Sequence, residues 1–316
     1  MPLSVDVAVV AYNRYDLTES CLRHLAAQTR EHRLIVCDNG STDGADARVA
    51  ADWPDATHLR METNRGFAEA CNAAVAAGDG DVVVLLNNDV DCRPDFLDRV
   101  VAPLEADDAV GSVAALCVRP GGERIDSIGL TMDATLSPFP RLQGRPVAEA
   151  GAASPVLVGP AGTAAAYRRT AWEQIGGLDE RIFAYGEDFD LALRLRAAGW
   201  EAAAAPDAAG IHLGSATHGH RTARQRRNGG FGRAYLMRRY GILRSPAGPR
   251  AAFTEALVVA GDAIISRDLE ALKGRVAGWR AAGGLPRRAL PPSAAFDEGI
   301  TLRDAIALRR GVYRTS

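Results

Sequence analysis

Over the first hundred or so residues, unbroken aliphatic runs alternate with stretches whose apolar positions recur every three or four residues. The runs at 5–10, 34–37 and 82–86 have strand character. Leu17, Cys21 and Leu25 fall on one helix face, as do Phe67, Ala70, Cys71 and Ala74. The run Val82, Val83, Val84, Leu85, Leu86 has no polar break, which predicts a central strand buried on both faces. Strand and helix in alternation predict a mostly parallel sheet with helices on both faces.

The regular pattern lapses between 119 and 155, where glycine and proline are frequent. This stretch predicts a loop or hairpin insertion over the sheet edge. Strand character returns at 156–169, around the break Gly159, Pro160, Ala161, Gly162. A helix is expected from about Asp188, with Leu191, Leu195 and Ala198 on its apolar face and Gly199 as its stop. Beyond Pro249 the pattern is that of Ala-rich amphipathic helices, and from Leu285 the tail is rich in proline and arginine. A catalytic domain is therefore expected over 1–218, with halves at about 1–117 and 118–218, followed by a helical extension over 219–316.

At 316 residues and 47% hydrophobic composition, the chain can bury a large core. Its net charge of −2 argues against a general nucleic-acid binder. The five cysteines form no CxxC pair, so neither a zinc knuckle nor a redox motif is indicated, and a reducing cytoplasm is favoured. No window reaches the roughly 18 apolar residues of a spanning helix. The expected location is cytoplasmic, with peripheral membrane contact as a further option.

In an open parallel sheet, ligands bind beyond the carboxyl ends of the strands. Those ends are polar here: Tyr12, Asn13 and Arg14; Asp38 to Asp43; Asn64 and Arg65; and Asn88, Asp89 and Asp91. Each cluster alone is explained by a capped turn. Four at successive strand ends point to a site. A carboxylate directly after a buried strand needs a positive partner, and Mg²⁺ or Mn²⁺ with a diphosphate would supply one at Asp89. Glu187, Asp188 and Asp190 suit a helix N-terminus, yet Glu187 or Asp188 could also act as a general base. His212 closes a strand-like stretch and is a competent metal ligand when neutral.

The order and spacing of these segments resemble family 2 glycosyltransferases of the GT-A fold, in their rhamnosyltransferase-like branch. The resemblance spans roughly 4–240 and is carried by Val7 to Arg14, Val36 to Gly44, Asn64 to Ala68, Leu85 to Asp89, Gly159 to Arg169, Gly176 to Asp179, Glu187 to Asp190, and His212. It implies an inverting transfer of a sugar, L-rhamnose or another deoxysugar, from a dTDP- or UDP-linked donor to a glycan, lipid-linked or natural-product acceptor. Tyr12 and Asp38 would hold the base, and Arg14, Asn39, Asn64 and Arg65 would line the nucleotide cleft. Asp89 would be the main ligand of Mg²⁺ or Mn²⁺, with Asn88 beside it and His212 opposite. Asp188 would be the catalytic base and Glu187 its positioning partner.

Two features depart from the family pattern. Asn87 and Asn88 precede a single Asp89, so Asp91 is expected to assist, and Thr217, His218 and His220 compete with His212 as the metal-facing residue. Competing functions are a degenerate, non-catalytic homologue and a sugar nucleotidyltransferase. The latter would need a glycine-rich phosphate loop after the first strand, where Ala11 to Arg14 stand instead. A dehydrogenase is excluded for want of GxGxxG. Nine arginines and no acid between Gly219 and Arg250 are expected to form a mobile flap and a surface helix, with membrane or acceptor binding as alternatives.

Overall fold

A computed structural model describes residues 2–214 and 222–308. The strands are β1 (Val5–Ala11), β2 (Arg33–Asp38), β3 (Thr57–Arg60), β4 (Val82–Asn87), β5 (Val90–Cys92), β6 (Val110–Val118), β7 (Ile125–Ser127), β8 (Leu130–Met132), β9 (Pro138–Pro140), β10 (Ala164–Arg168) and β11 (Glu201–His212). The helices are α1 (Tyr15–Ala26), α2 (Ala45–Asp52), α3 (Phe67–Ala76), α4 (Phe96–Ala106), α5 (Arg169–Ile175), α6 (Glu187–Ala197), α7 (Ala223–Arg239), α8 (Gly248–Ser266), α9 (Glu270–Ala281) and α10 (Leu302–Leu308). The main sheet runs β3-β2-β1-β4-β10-β6-β11-β5, with β7 beside β6.

The period-two alternation decides which face each side chain serves. In β1, Val5, Val7, Val9 and Ala11 pack against α1, α2 and α4, whereas Ala8 and Val10 face the core shared with α3, α5 and α6. Strand β4 divides in the same way: Val82, Val84 and Leu86 to one side, Val83 and Leu85 to the other. Both faces are thus covered, as the unbroken apolar run predicts. Ala198, expected on the apolar face of α6, is exposed just past its last turn, where Gly199 takes a φ of +94°.

Register places the chemistry. Strand β1 is parallel to β2 with Ala11 opposite Asp38, and parallel to β4 with Val10 opposite Asn87. Three carboxyl ends therefore finish level, and the polar residues that follow share one edge. Strand β10 enters antiparallel beside β4, so its leading residues Gly162 and Thr163 reach the same edge; the Asn87 N–H donates to the Thr163 carbonyl at 2.9 Å. At the far side β5 pairs antiparallel with β11, opposing His212 to Val90 and bringing it next to Asp89.

The 119–155 segment is a hairpin-bearing insertion, but it does not lie over a sheet edge. Strand β10 pairs with β6 only at Ser112, Val113 and Ala114, leaving Cys117 and Val118 to pair with β7 inside the sheet. Ile125, Ile128, Met132 and Leu136 are fully buried. A third core joins this insertion to α6 and α7 through Leu136, Ile182, Phe189, Tyr235 and Leu236.

Helix α7 is not the surface helix expected from its arginines. It packs closely on α9: a Cβ added to Gly230, Gly274 or Gly278 would strike backbone of the facing helix. Its arginines are largely spent inside the extension, Arg226 on Asp268, Arg233 on Glu255, and Arg239 on the Pro286 carbonyl. The boundary expected near 218, and Thr217, His218 and His220, lie outside the described residues. Among the described residues, no helix is long and apolar enough to cross a membrane.

Candidate active site

A cavity of about 530 Å³ opens at the carboxyl edge of the sheet. Tyr12, Asn39, Asn64, Asn88 and Asp89 line one side, and Gly162, Glu187 and Asp188 another. Leu130, Leu136, Pro138, Pro140 and Leu236 form an apolar wall.

Asp38 and Asn39 organise the β2 end. Asp38 Oδ1 accepts the N–H groups of Gly40 and Ser41 at 3.1 and 2.9 Å, an Asx-turn, while its buried Oδ2 has no hydrogen-bond partner. Asn39 accepts the Arg65 N–H at 2.9 Å and donates to the Gly66 carbonyl at 3.1 Å, tying two strand-end loops together. Gly66 has φ +99°, and a Cβ there would lie 2.6 Å from the Phe183 carbonyl oxygen, so this crossing needs glycine.

Two predicted cleft residues turn away from the cavity. Arg14 pairs with Asp16, and Arg65 pairs along α3 with Glu69 at 2.9 Å; neither lines the cavity. Asp91 is also diverted: Oδ1 accepts from Ser20 at 2.9 Å and lies 3.4 Å from His24 Nδ1. Arg14 and Arg65 find their counter-charges close by in the chain, on Asp16 and Glu69, whereas Asp91 of β5 finds Ser20 and His24 of α1 across the fold.

Asp89 and His212 come together. His212 Nε2 lies 3.6 Å from Asp89 Oδ1, a buried oxygen without a hydrogen-bond partner. His212 Nδ1 is held 2.7 Å from Asp126 Oδ2. Burial would depress the imidazolium, but Asp126 and Asp89 outweigh it and raise His212 to about 9. Asp126 is itself held below the usual carboxylate range: burial opposes this, and His212 overrides it. Asp126 was not legible in the sequence. It sits on β7 within the insertion, and only pairing with β6 brings it to His212.

The pair fits a divalent ion carried in by a diphosphate. An orphaned carboxylate oxygen faces an imidazole nitrogen whose other nitrogen is fixed by a second carboxylate, the usual support for a metal-binding histidine, and an ion there would take the place of the proton that Asp126 and Asp89 favour. Among the described residues there is no group of three His, Cys, Asp or Glu placed to hold a metal alone.

Asp188 and Glu187 open α6. Asp188 Oδ2 accepts the Gly162 N–H at 2.9 Å, and Oδ1 accepts the Phe189 N–H at 2.7 Å. Burial raises its carboxyl above the usual range despite these bonds. Glu187 is buried with Oε2 unpartnered; burial, then the charge of Asp188, pushes it well above the carboxylate range. The two acids differ in their bonding: both oxygens of Asp188 accept backbone N–H groups, whereas Glu187 has an unpartnered oxygen and is pushed further above the usual range. Asp190 is no helix cap. It is fully buried and pairs with Arg194 at 2.8 Å and with Arg288.

Comparison with known proteins follows this geometry. Residues 6–176 match the model described as glycosyl transferase family 2, and 147–260 match glycosyl transferase family group 2. Over 229 residues the chain is 31% identical to N-acetylglucosaminyl-diphospho-decaprenol L-rhamnosyltransferase of Mycobacterium tuberculosis, covering 65% of this chain and 75% of that protein. It is 30% identical over 120 residues to undecaprenyl-phosphate 4-deoxy-4-formamido-L-arabinose transferase of Pseudomonas fluorescens, covering 34% and 35%. The fold matches a mannosyltransferase of Pyrobaculum calidifontis in complex with GDP-Man and Mn²⁺, with TM-score 0.54 at 22% identity over 98% of this chain and 81% of that one. It also matches S. aureus TarS 1-349, with TM-score 0.53 at 15% identity over 89% and 74%.

Proposed function

From the premise that the chain belongs to glycosyltransferase family 2 and has the GT-A fold, we propose that it moves a sugar, L-rhamnose or another deoxysugar, from a nucleoside diphosphate to an acceptor hydroxyl with inversion. The observation that carries this reading is one cavity framed by the orphaned Asp89 oxygen on one side and the hydrogen-bonded Asp188 carboxylate on another. The named activity of the mycobacterial relative supports rhamnose, hence a dTDP-linked donor, ahead of UDP-sugars.

Asp38 Oδ2 is buried and unpartnered and does not itself line the cavity; beside Tyr12 and Asn39, which do, it suits the N3–H of a pyrimidine base. Asn39 and Asn64 shape the nucleotide cleft, and Asn88 reaches from the same edge while its amide donates to Thr18 at 2.9 Å. Arg14 and Arg65 would have to leave Asp16 and Glu69 to contribute. Mg²⁺ or Mn²⁺, held by Asp89 and His212, would supply Lewis-acid neutralisation of the departing diphosphate. The Pyrobaculum calidifontis mannosyltransferase, solved with GDP-Man and Mn²⁺, supports such an ion.

Asp188 takes the acceptor hydroxyl proton as that oxygen bonds to the anomeric carbon and the carbon–oxygen bond to the diphosphate breaks. The Gly162 N–H holds the carboxylate toward the cavity. Glu187, buried at the start of α6 with an unpartnered oxygen, lines the same cavity, and burial favours the protonated form that would donate to the sugar. The apolar wall opposite is where the acceptor would lie. Buried cysteines, all free, support a reducing cytoplasm.

The test is nucleoside diphosphate release from dTDP-L-rhamnose, UDP-glucose and GDP-mannose, each with and without Mn²⁺. Metal-stimulated release from at least one donor is expected. Binding of nucleotides with no release from any donor, in the presence of an acceptor panel, would leave a non-catalytic binding protein.

A further inference from the structure

Among the described residues, the aromatic rings lining the reaction cavity are those of Tyr12, Phe67, Phe183, Tyr185 and Phe189. Four of these residues are wholly or partly buried, whereas Tyr185 is exposed, at 40%. Phe183 is covered in turn by the Arg224 guanidinium, 5.1 Å from its ring centre. Tyr185 also stands in a backbone conformation that its side chain disfavours. Its φ is +71°, in the left-handed region that glycine takes easily and bulky residues rarely. Helix α7 holds it there. A Cβ on Gly232 would strike the Tyr185 carbonyl, and the Gln225 side chain, in the first turn of α7, meets the Tyr185 hydroxyl. A Cβ on the neighbouring Gly186 would lie 3.5 Å from Leu236, so this loop adjoins the apolar wall. Backbone strain kept at a cavity rim by its surroundings points to a role for the ring in that cavity.

We propose that Tyr185 binds the acceptor: its ring is the platform on which the acceptor's pyranose stacks while a hydroxyl of that sugar meets Asp188. The inference rests on the glycosyltransferase reading and adds to it a residue that touches the acceptor. Placement decides for the acceptor over the donor. Tyr12, Asn39 and Asp89 follow β1, β2 and β4, and Asn64 lies in the loop before α3. Tyr185 lies instead on the loop that leads into α6, three residues before Asp188. Chemistry decides for a sugar ring. One face of a pyranose is lined by C–H bonds, whose positive hydrogens suit the negative face of an aromatic ring. Its hydroxyls stay at the edge, free to bond water or polar side chains. A ring tied at its hydroxyl and pinned at its backbone meets such a face with little further loss of freedom. A purely structural Tyr185 would need only the tie to Gln225 and would gain nothing from exposure at the cavity rim.

The test is saturation-transfer NMR on the full chain with Mn²⁺ and dTDP or UDP present. The probes are the methyl β-D-glycosides of glucose, galactose, mannose and N-acetylglucosamine. At least one is expected to bind, with saturation strongest on the C–H protons of one pyranose face. Tyr185→Leu keeps apolar bulk without the ring and should weaken binding by about five- to tenfold, the scale of a lost aromatic contact. Tyr185→Asn suits the left-handed backbone better than tyrosine does and should weaken binding as much. Tyr185→Phe keeps the ring and should bind within about twofold of the unaltered chain, with the same protons saturated.

Equal binding by Tyr185→Leu and the unaltered chain would overturn the proposal, as would no glycoside binding at all. So would a loss in Tyr185→Phe as large as in Tyr185→Leu, which would leave only the hydroxyl tie. Melting curves identify the folded variants, and Leu and Asn differ enough in backbone preference for either to decide. Collapse of both would make Tyr185 a structural residue and overturn the proposal too. Nucleoside diphosphate release from the donors separates the two readings. Ring-dependent glycoside binding without release from any donor would sink the transferase reading alone; donor turnover without ring-dependent glycoside binding would sink this one alone.

Discussion

Asp126 Oδ2 lies 2.7 Å from His212 Nδ1, although 86 residues separate them in the chain. The contact fixes the imidazole so that Nε2 points at Asp89. Removing it leaves both proposed metal ligands in place but frees the ring to rotate. Asp126→Asn is expected to weaken Mn²⁺ activation by about 10- to 100-fold, the usual effect of losing such a support. The Mn²⁺ concentration giving half-maximal donor turnover checks this. An unchanged value would detach Asp126 from the metal.

Asp188 is held by the Gly162 and Phe189 N–H groups, and Asn in its place could keep the shape but not the basicity. Asp188→Asn should lower kcat by about 10²- to 10⁴-fold. Nucleotide binding by calorimetry should persist. Near-normal turnover would remove Asp188 from the base role.

The two raised acids set a pH profile. Asp188 must lose its proton to act, and burial raises its carboxyl, so kcat/KM should rise with pH along a limb centred above the ordinary value of about 4. The limb belongs to the Glu187–Asp188 pair rather than to one residue. Burial favours the protonated form of Glu187, which Glu187→Gln preserves, so that variant should lose little of its rate. Glu187→Ala should cost more. Equal losses in both variants would mean that Glu187 works as an anion.

Arg288 binds Asp179 at 2.6 Å and also Asp190, both acids being almost wholly buried. Arg288→Met would take a shared cation from two buried carboxylates, leaving Asp190 with Arg194 and Asp179 with Tyr235, and should destabilise the chain by up to about 3–5 kcal/mol, the scale for breaking a buried pair. Differential scanning calorimetry reads this as a lower Tm. Acid should act in the same direction. Asp179 is held below the usual range: burial opposes this, and Tyr235 and Arg288 prevail. Its contribution is fully present above the unfolded value near 4 and is lost as pH falls through the lower folded value. The Tm of Arg288→Met should therefore fall less steeply in acid than that of the unaltered chain.

Helix α7 presses on the loop that leads into α6. A Cβ at Gly232 would strike the Tyr185 carbonyl oxygen. Gly232→Ala should therefore push α7 off the cavity rim and lower stability by about 1–3 kcal/mol, the range for overpacking. The measurement is a urea midpoint together with donor KM. A stable variant with unchanged KM would show that the rim tolerates the shift.

Hydrophobic periodicity in the sequence was enough to establish β1, β2, β4 and β10, the faces of α1 and α3 and most of that of α6, and the sandwiching of the sheet. The short polar motifs marked the edge at which the cavity opens. That much is local, because alternation and helical spacing are properties of neighbours along the chain. Tertiary structure decided the rest. Arg14, Arg65 and Asp91 carry the right chemistry at the right strand ends, yet nearby partners turn them aside. Asp126 and Arg288 lie in stretches with no motif and reach their sites only through β7 pairing with β6 and through the tail packing across α6. The arginine run read as a solvated surface because every acid that pairs with it lies outside 219–250. A counter-charge distant in sequence costs nothing in local pattern and leaves no trace there; only the folded chain brings it within bonding distance.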